Sequence, residues 1–420
     1  MMIEKINNLL NIFLKFVLGY GLLVIILFIF GVLTPEFGPR GLLLDIDLDN
    51  KIDKLSSGSN IKQFFWLTVF SLYSLLFIKG YVCSLNDYIK SFLIFMLPLL
   101  FIISSSLSSD YSFLSLKRGV FQILFIHCVI LSTYSAYKEG TFHKSITISI
   151  LFFLGFSLLA IVNGTAFNLN GAFAGINFSK NRFCINMTGL LILYVFSCHV
   201  SGNKANLKIV FLSVLLIVLS LGKTIILAGL LLTPILFINK KTFTIQRINY
   251  IILFVGFFTF ILYPYVTHLF FTFDSVANYM DPSSLTGRGT IWSLVYESLI
   301  LFDKFNFGFG YGTFFNTPVV PFLFDIEYSF LPYVTTTHNG FIDLLSQVGF
   351  YGTLACFFVV FAAIKNSSNP SGQIFCFFLL VHNLTESSLF KDQHSMMFIL
   401  IIITCFNCIV KNRSNENFQG

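Results

Sequence analysis

Charge is what this chain has least of. Asp, Glu, Lys and Arg make up 11% of its 420 residues, whereas 56% are hydrophobic and 55 are Phe. A soluble domain carries about 25% charged residues. So few charges cannot cover a water-facing surface of this size, which excludes a cytosolic enzyme and points to a polytopic membrane protein. The formal net charge of +7 gives no support to a nucleic-acid partner, because membrane proteins place Lys and Arg for topology. A disulfide framework is also missing. Cys83, Cys128, Cys184, Cys198, Cys356, Cys376, Cys405 and Cys408 lie in or at the ends of apolar runs, not in polar loops, and read as small packing residues. No His or Cys cluster has metal-ligand spacing. No internal repeat or inverted pair of interrupted helices marks a transporter.

What is present is a series of long apolar runs. A spanning helix takes about 20 such residues. Twelve segments qualify, near 11–33, 63–79, 91–107, 119–137, 145–163, 183–200, 208–221, 225–239, 249–267, 341–364, 373–385 and 394–410, of which the seventh, eighth and eleventh are short. Lys223 interrupts the run from Ile209 to Ile238, which is too long for one span and reads as two segments meeting at a membrane face or a wet cavity. Short connectors bearing Lys79/Lys90, Lys138/Lys144, Lys204/Lys208, Lys240/Lys241/Arg247 and Lys365 then fall on one side, with both termini. The positive-inside rule makes that side cytoplasmic. The first run lacks a small-residue cleavage site after it and is expected to be a retained span.

The expected fold is therefore all-α, with about 12 transmembrane helices and one large, partly helical periplasmic loop. A transmembrane bundle of about nine spans covers 1–267, with outer loops at 34–62 and 164–182. The large loop covers 268–340, and three further spans with a short cytoplasmic tail cover 341–420. A loop of that length between spans is uncommon and usually functional.

That loop opens on Thr286-Gly287-Arg288-Gly289-Thr290-Ile291-Trp292 and closes on His338-Asn339, followed nine residues later by Gly349-Phe350-Tyr351-Gly352. Between them Gly308, Gly310 and Gly312 follow no strand and read as a turn, not a nucleotide loop. The spacing resembles the superfamily of O-antigen ligases and Wzy-type O-antigen or exopolysaccharide polymerases. Those proteins carry a His-[Asn/Ser/Gln]-x9-Gly-x2-[Gly/Thr/Tyr] motif at the end of a large periplasmic loop and a Gly-Arg-x3-Trp-like element at its start. Gly171 to Asn181 is similar to the family's Gly-x-Phe...Lys-Asn loop. Leu219 to Thr224 is similar to its Ser-Arg-Thr helix break, with Lys223 where Arg is usual. Lys is a compact point charge without the bidentate fork of Arg.

The resemblance implies metal-independent, cofactor-free glycosyl transfer on the periplasmic face of the bacterial inner membrane. The donor would be an undecaprenyl-pyrophosphate-linked glycan and the acceptor a glycan or lipid A-core, with membrane lipids, a chain-length regulator and a flippase as further partners. Such chemistry needs cations for the leaving pyrophosphate and a base near working pH for the acceptor hydroxyl. His338 is the candidate base. Arg288, Lys223, Lys180 and Arg182 are the candidate cations, and Asn339, Gly349, Gly352 and Trp292 support the motif. Lys180 and Arg182 also sit where snorkelling residues end a span. Asp343, one turn and one residue beyond His338, could orient it, though a solvated or capping carboxylate is the more common outcome at such a position; His127, His199 and His382 read as packed or interfacial.

Polymerase and ligase differ in the acceptor. The early loop from Leu33-Thr34-Pro35 to Trp66 is more similar to the exopolysaccharide polymerases, which favours polymerase. A lipid-linked sugar transporter is the distant alternative, disfavoured by spans nearly free of Asp and Glu.

Overall fold

The computed structural model describes residues 2–35, 60–167, 171–222, 242–270, 288–315, 334, 336–367, 369–391 and 393–416. Lys223, the span expected near 225–239, most of the loop at 34–62, and residues 271–287, 316–333 and 335 of the loop at 268–340 lie outside the described residues.

The described chain is helical: α1 (Met2–Ile29), α2 (Asn60–Ile78), α3 (Leu85–Leu107), α4 (Ser112–Lys138), α5 (Phe142–Val162), α6 (Lys180–Val200), α7 (Leu207–Leu219), α8 (Thr242–Phe257), a π-helical turn (Phe258–Leu262), α9 (Tyr263–Phe270), α10 (Arg288–Leu301), α11 (Gly340–Asn366), α12 (Pro370–Asn383) and α13 (Ser395–Glu416). Among the described residues no strand forms; one bridge pairs Phe167 with Phe173. Eight helical stretches among the described residues are long and apolar enough to cross a membrane, and Leu207–Leu219 and Ser395–Ile409 are shorter apolar ones. The chain is an all-α, multi-pass membrane protein. Eleven of the twelve expected spans coincide with helices, because uninterrupted apolar runs in lipid must satisfy their backbone internally. Short polar residues set the helix starts: Ser84, Ser179, Asn206, Asn339 and Asn369 each accept a hydrogen bond from a first-turn N–H.

Helices α6 and α13 form the centre. Every residue of α6 from Phe183 to Cys198 is buried, as is α13 from Met396 to Ile403. Around them pack α4, α5, α11 and α12. At one end of the bundle Lys138 Nζ donates to the Tyr81 carbonyl (2.8 Å), Lys144 stands over the Tyr20 ring, His199 meets Ser371 (3.0 Å) and Gln246 donates to the Ile364 carbonyl (3.1 Å). The described Lys-bearing connectors at 138–144 and near 81, 199, 246 and 364 are thus gathered there. At the other end Phe173 N–H donates to the Leu219 carbonyl, Ser109 meets Thr313, and Tyr311 Oη donates to the Phe390 carbonyl. Arg288, His338 and the 384–394 connector belong to this second end.

Helix α11 is broken at Gly349 (φ 68°, ψ −171°). The segment that carries Gly308 and Gly310 threads across the break and supplies its missing hydrogen bonds. Phe350 and Tyr351 N–H donate to the Phe305 and Asn306 carbonyls, while Phe309 and Gly310 N–H donate to Ser346 and Gln347. A Cβ at Gly349 would collide with the Asn306 backbone, and one at Gly308 would lie 2.5 Å from the Gln347 carbonyl. The glycine of the motif is therefore a backbone crossing, while a Cβ at Gly352 would lie 2.6 Å from the Val348 side chain of α11 and 3.3 Å from Phe101 of α3. Gly349→Ala combines a left-handed φ with a backbone clash, so it should lower stability by about 3 kcal/mol, near the upper end of single substitutions. A thermal melt of the detergent-solubilised protein measures this; an unchanged midpoint would contradict the crossing.

Candidate functional site

Arg288 is the first residue of α10, His338 precedes α11 by two positions, and Glu386 lies three residues beyond α12. The Glu386 carboxylate joins the other two. Its Oε2 is 3.1 Å from His338 Nδ1 and its Oε1 is 3.8 Å from an Arg288 guanidinium nitrogen. Arg288 also donates to the Thr385 carbonyl at 2.9 Å. The three side chains are 28% (Arg288), 40% (His338) and 22% (Glu386) exposed, so a substrate can reach them. Burial pushes the Glu386 carboxyl up, but the His338 hydrogen bond and the charges of His338, His382 and Arg288 more than offset it and hold the group below the usual carboxylate range. Glu386 therefore stays ionised throughout the neutral range, and its ion pairs weaken only when the pH falls through that depressed value. An ionised carboxylate only accepts. His338 Nδ1 must then carry the proton facing it, which leaves Nε2 of the neutral ring as the acceptor.

His338 has a left-handed backbone (φ 52°), a conformation that costs a non-glycine residue about 1–3 kcal/mol. Its neighbours hold it there. Thr337 donates its N–H to Asp343 Oδ1 (3.2 Å) and its hydroxyl to the Asn339 carbonyl (2.6 Å), and its own carbonyl accepts from Trp292 Nε1 (2.8 Å). Asn339 caps α11 through Phe341 and Ile342 N–H and donates to the Leu384 carbonyl at 3.3 Å, tying the start of α11 to the connector that carries Glu386. Gly340 makes room for the same closure: a Cβ there would overlap the Asn383 side chain. Trp292 and Asn339 are thus structural supports of the histidine.

The second cationic group starts α6. Lys180 is half-buried and Arg182 exposed, on a helix capped by Ser179. Of the two, Arg182 reaches the 384–394 connector, through its charge on His394. Burial, then the charges of Lys391, His382 and Arg182, hold that imidazole well below its ordinary range. His394 Nδ1 accepts from Met396 N–H at the start of α13, and Ser395 Oγ donates to Asn186 of α6. The turn before Lys223 reaches the same region. Helix α7 stops at Leu219, Leu221 is left-handed (φ 53°), and Gly222 packs against Cys184 of α6.

Three titratable residues described here were not singled out from the sequence: Glu386, Lys391 and His394. The signal available for Glu386 was an acid four residues after His382 at the end of a span, in a chain whose apolar runs are nearly free of acids. Asp343 does not orient His338 directly; its carboxylate is turned to Thr337 and to Gln347, which donates at 3.0 Å. His382 is buried, with Nδ1 on Ser388, in keeping with packing.

No curated protein matches the chain. Residues 209–357 match the family model described as O-antigen ligase, a stretch that holds Arg288, His338, Gly349 and Gly352. The match covers about a third of the chain and supports its similarity, over that stretch, to the superfamily of O-antigen ligases and polymerases.

Proposed function

We propose that the chain polymerises lipid-linked repeat units of a bacterial surface polysaccharide at the periplasmic face of the inner membrane, with both termini in the cytoplasm. The observation that carries the catalytic part is the Glu386 bridge between His338 and Arg288, which presents an acceptor nitrogen beside a guanidinium. In this reading His338 Nε2 takes the proton of the acceptor hydroxyl as its oxygen attacks the anomeric carbon of the donor glycan. The bond from that carbon to the phosphate oxygen breaks, and its electron pair leaves with undecaprenyl pyrophosphate. Arg288, Lys180, Arg182 and Lys391, with Lys223, which follows α7 in the sequence, meet the charge of the leaving group. Glu386 fixes the ring and stabilises its cation. The clustering of basic connectors at the opposite end of the bundle supports the orientation.

The description of the matching family favours a second reading, ligation of the glycan to lipid A-core. Expression in a polymerase-null and a ligase-null strain separates them. The polymerase reading expects restored chain-length ladders in the first strain and no attachment to lipid A-core in the second. The reverse pattern would establish the ligase.

A further inference from the structure

We infer that Asp343 is a positioning residue for His338, acting through Thr337; the inference rests on the functional reading above. Asp343 lies in the first turn of α11, 5% exposed, and its carboxylate is turned away from the imidazole. It ends a chain of polar contacts that crosses the site end of the bundle. Arg118 of α4 donates to the Gly312 carbonyl, and Gly312 N–H donates to Gln347 Oε1 at 3.0 Å. Gln347 Nε2 donates to Asp343 Oδ2 at 3.0 Å, and Asp343 Oδ1 accepts Thr337 N–H at 3.2 Å, with the Thr337 hydroxyl 3.5 Å away. The charge of Lys391 also acts on the carboxylate.

Every contact in this chain has a fixed direction. Gln347 can donate to Asp343 only because Asp343 accepts at both oxygens, and Thr337 N–H, just before the left-handed His338, has that carboxylate as its acceptor. Thr337 is also held at its carbonyl by Trp292. With Thr337 fixed on both sides, the histidine backbone keeps its left-handed turn and the ring stays on Glu386. Freeing the N–H lets residue 338 relax towards an ordinary backbone conformation and swings the ring off its partner.

The directionality supplies a specific test. Asp343→Asn places an amide N–H₂ against the Gln347 donor or against Thr337 N–H, so one of the two contacts is lost. Asp343→Asn with Gln347→Glu exchanges the two groups. The amide oxygen now at position 343 then accepts Thr337 N–H, and the amide nitrogen donates to the carboxylate now at position 347. The second oxygen of that carboxylate still accepts Gly312 N–H. Gln347→Glu alone puts two carboxylates against each other. Turnover of a lipid-linked glycan donor is measured for all three variants and for His338→Ala in the same membranes, together with KM for the donor. We expect each single variant to lose roughly 10- to 100-fold in kcat with KM changed by less than about twofold. The exchanged double variant should recover to within about threefold of the native rate, a coupling that a double-mutant cycle reads directly. Full kcat in Asp343→Asn overturns the inference. So does failure of the double variant to recover while its thermal midpoint matches the native protein, because the charge at position 343 would then matter and not the hydrogen-bond chain. If His338→Ala itself turns over at the native rate, the functional reading fails, whatever Asp343 does.

Discussion

His338→Ala is expected to abolish long-chain polysaccharide in a strain that depends on this protein, with its amount in the membrane unchanged. The side chain is 40% exposed and its ring is held by Glu386, so its removal leaves no large cavity and does not disturb the cap of α11, which Asn339 provides. Folding should therefore survive. In the proposed mechanism chemistry should not, because loss of a positioned general base costs on the order of 10²–10⁴-fold. Alanine also relieves the left-handed strain no better than histidine does, so no stabilising effect should mask the loss. Chain-length ladders on gels, normalised to protein by immunoblot, report the outcome. A normal ladder from the alanine variant would remove His338 from the mechanism.

Glu386→Gln should be nearly as damaging, for a reason particular to this geometry. The carboxylate faces two donors, Arg288 at Oε1 and His338 Nδ1 at Oε2. A glutamine has one oxygen. Arg288 can only donate, so it claims that oxygen and turns the amide N–H₂ towards His338. Nδ1 must then accept, the ring proton moves to Nε2, and the nitrogen facing the substrate loses its lone pair. The expected loss is again on the order of 10²–10⁴-fold, with the protein intact. Glu386→Asp keeps both acceptors on a shorter arm and should retain a measurable fraction of the rate. Arg288→Lys keeps the charge and loses the fork that holds Thr385 and Glu386 together, so it should fall between native and Glu386→Gln. Equal activity of Glu386→Gln and the native protein would mean that the bridge is an ornament of the fold.

Most of the helical framework was legible because apolar runs in lipid have few alternatives to helix, and His338 with Arg288 could be found because their flanking residues form a pattern along the chain. Glu386 could not be found that way. It meets His338 across 48 positions, through a connector whose sequence follows no spacing rule, and only the packing of α11 against α12 brings the two together. Asp343 illustrates the converse: its distance along the helix made it a natural partner for the histidine, yet its carboxylate serves the N–H of Thr337. Gly349 was visible as a motif glycine, but its reason, a loop crossing that needs a bare Cα, depends on Phe305 to Gly310 being threaded against α11. The π-turn at Phe258–Leu262 had no sequence signal. It accepts Tyr296 Oη at the Phe260 carbonyl (2.8 Å) and so seats the helix that carries Arg288.

Transfer of glycan from a polyprenyl pyrophosphate is the reaction proposed for the His338–Glu386–Arg288 constellation. It is tested most directly with purified protein in liposomes supplied with a lipid-linked repeat unit, following release of the polyprenyl pyrophosphate and growth of the glycan together. The native protein should show matched release and chain growth, and His338→Ala and Glu386→Gln neither. Native-rate transfer by either folded variant, or chain growth without release of the lipid pyrophosphate, would contradict the proposed reaction.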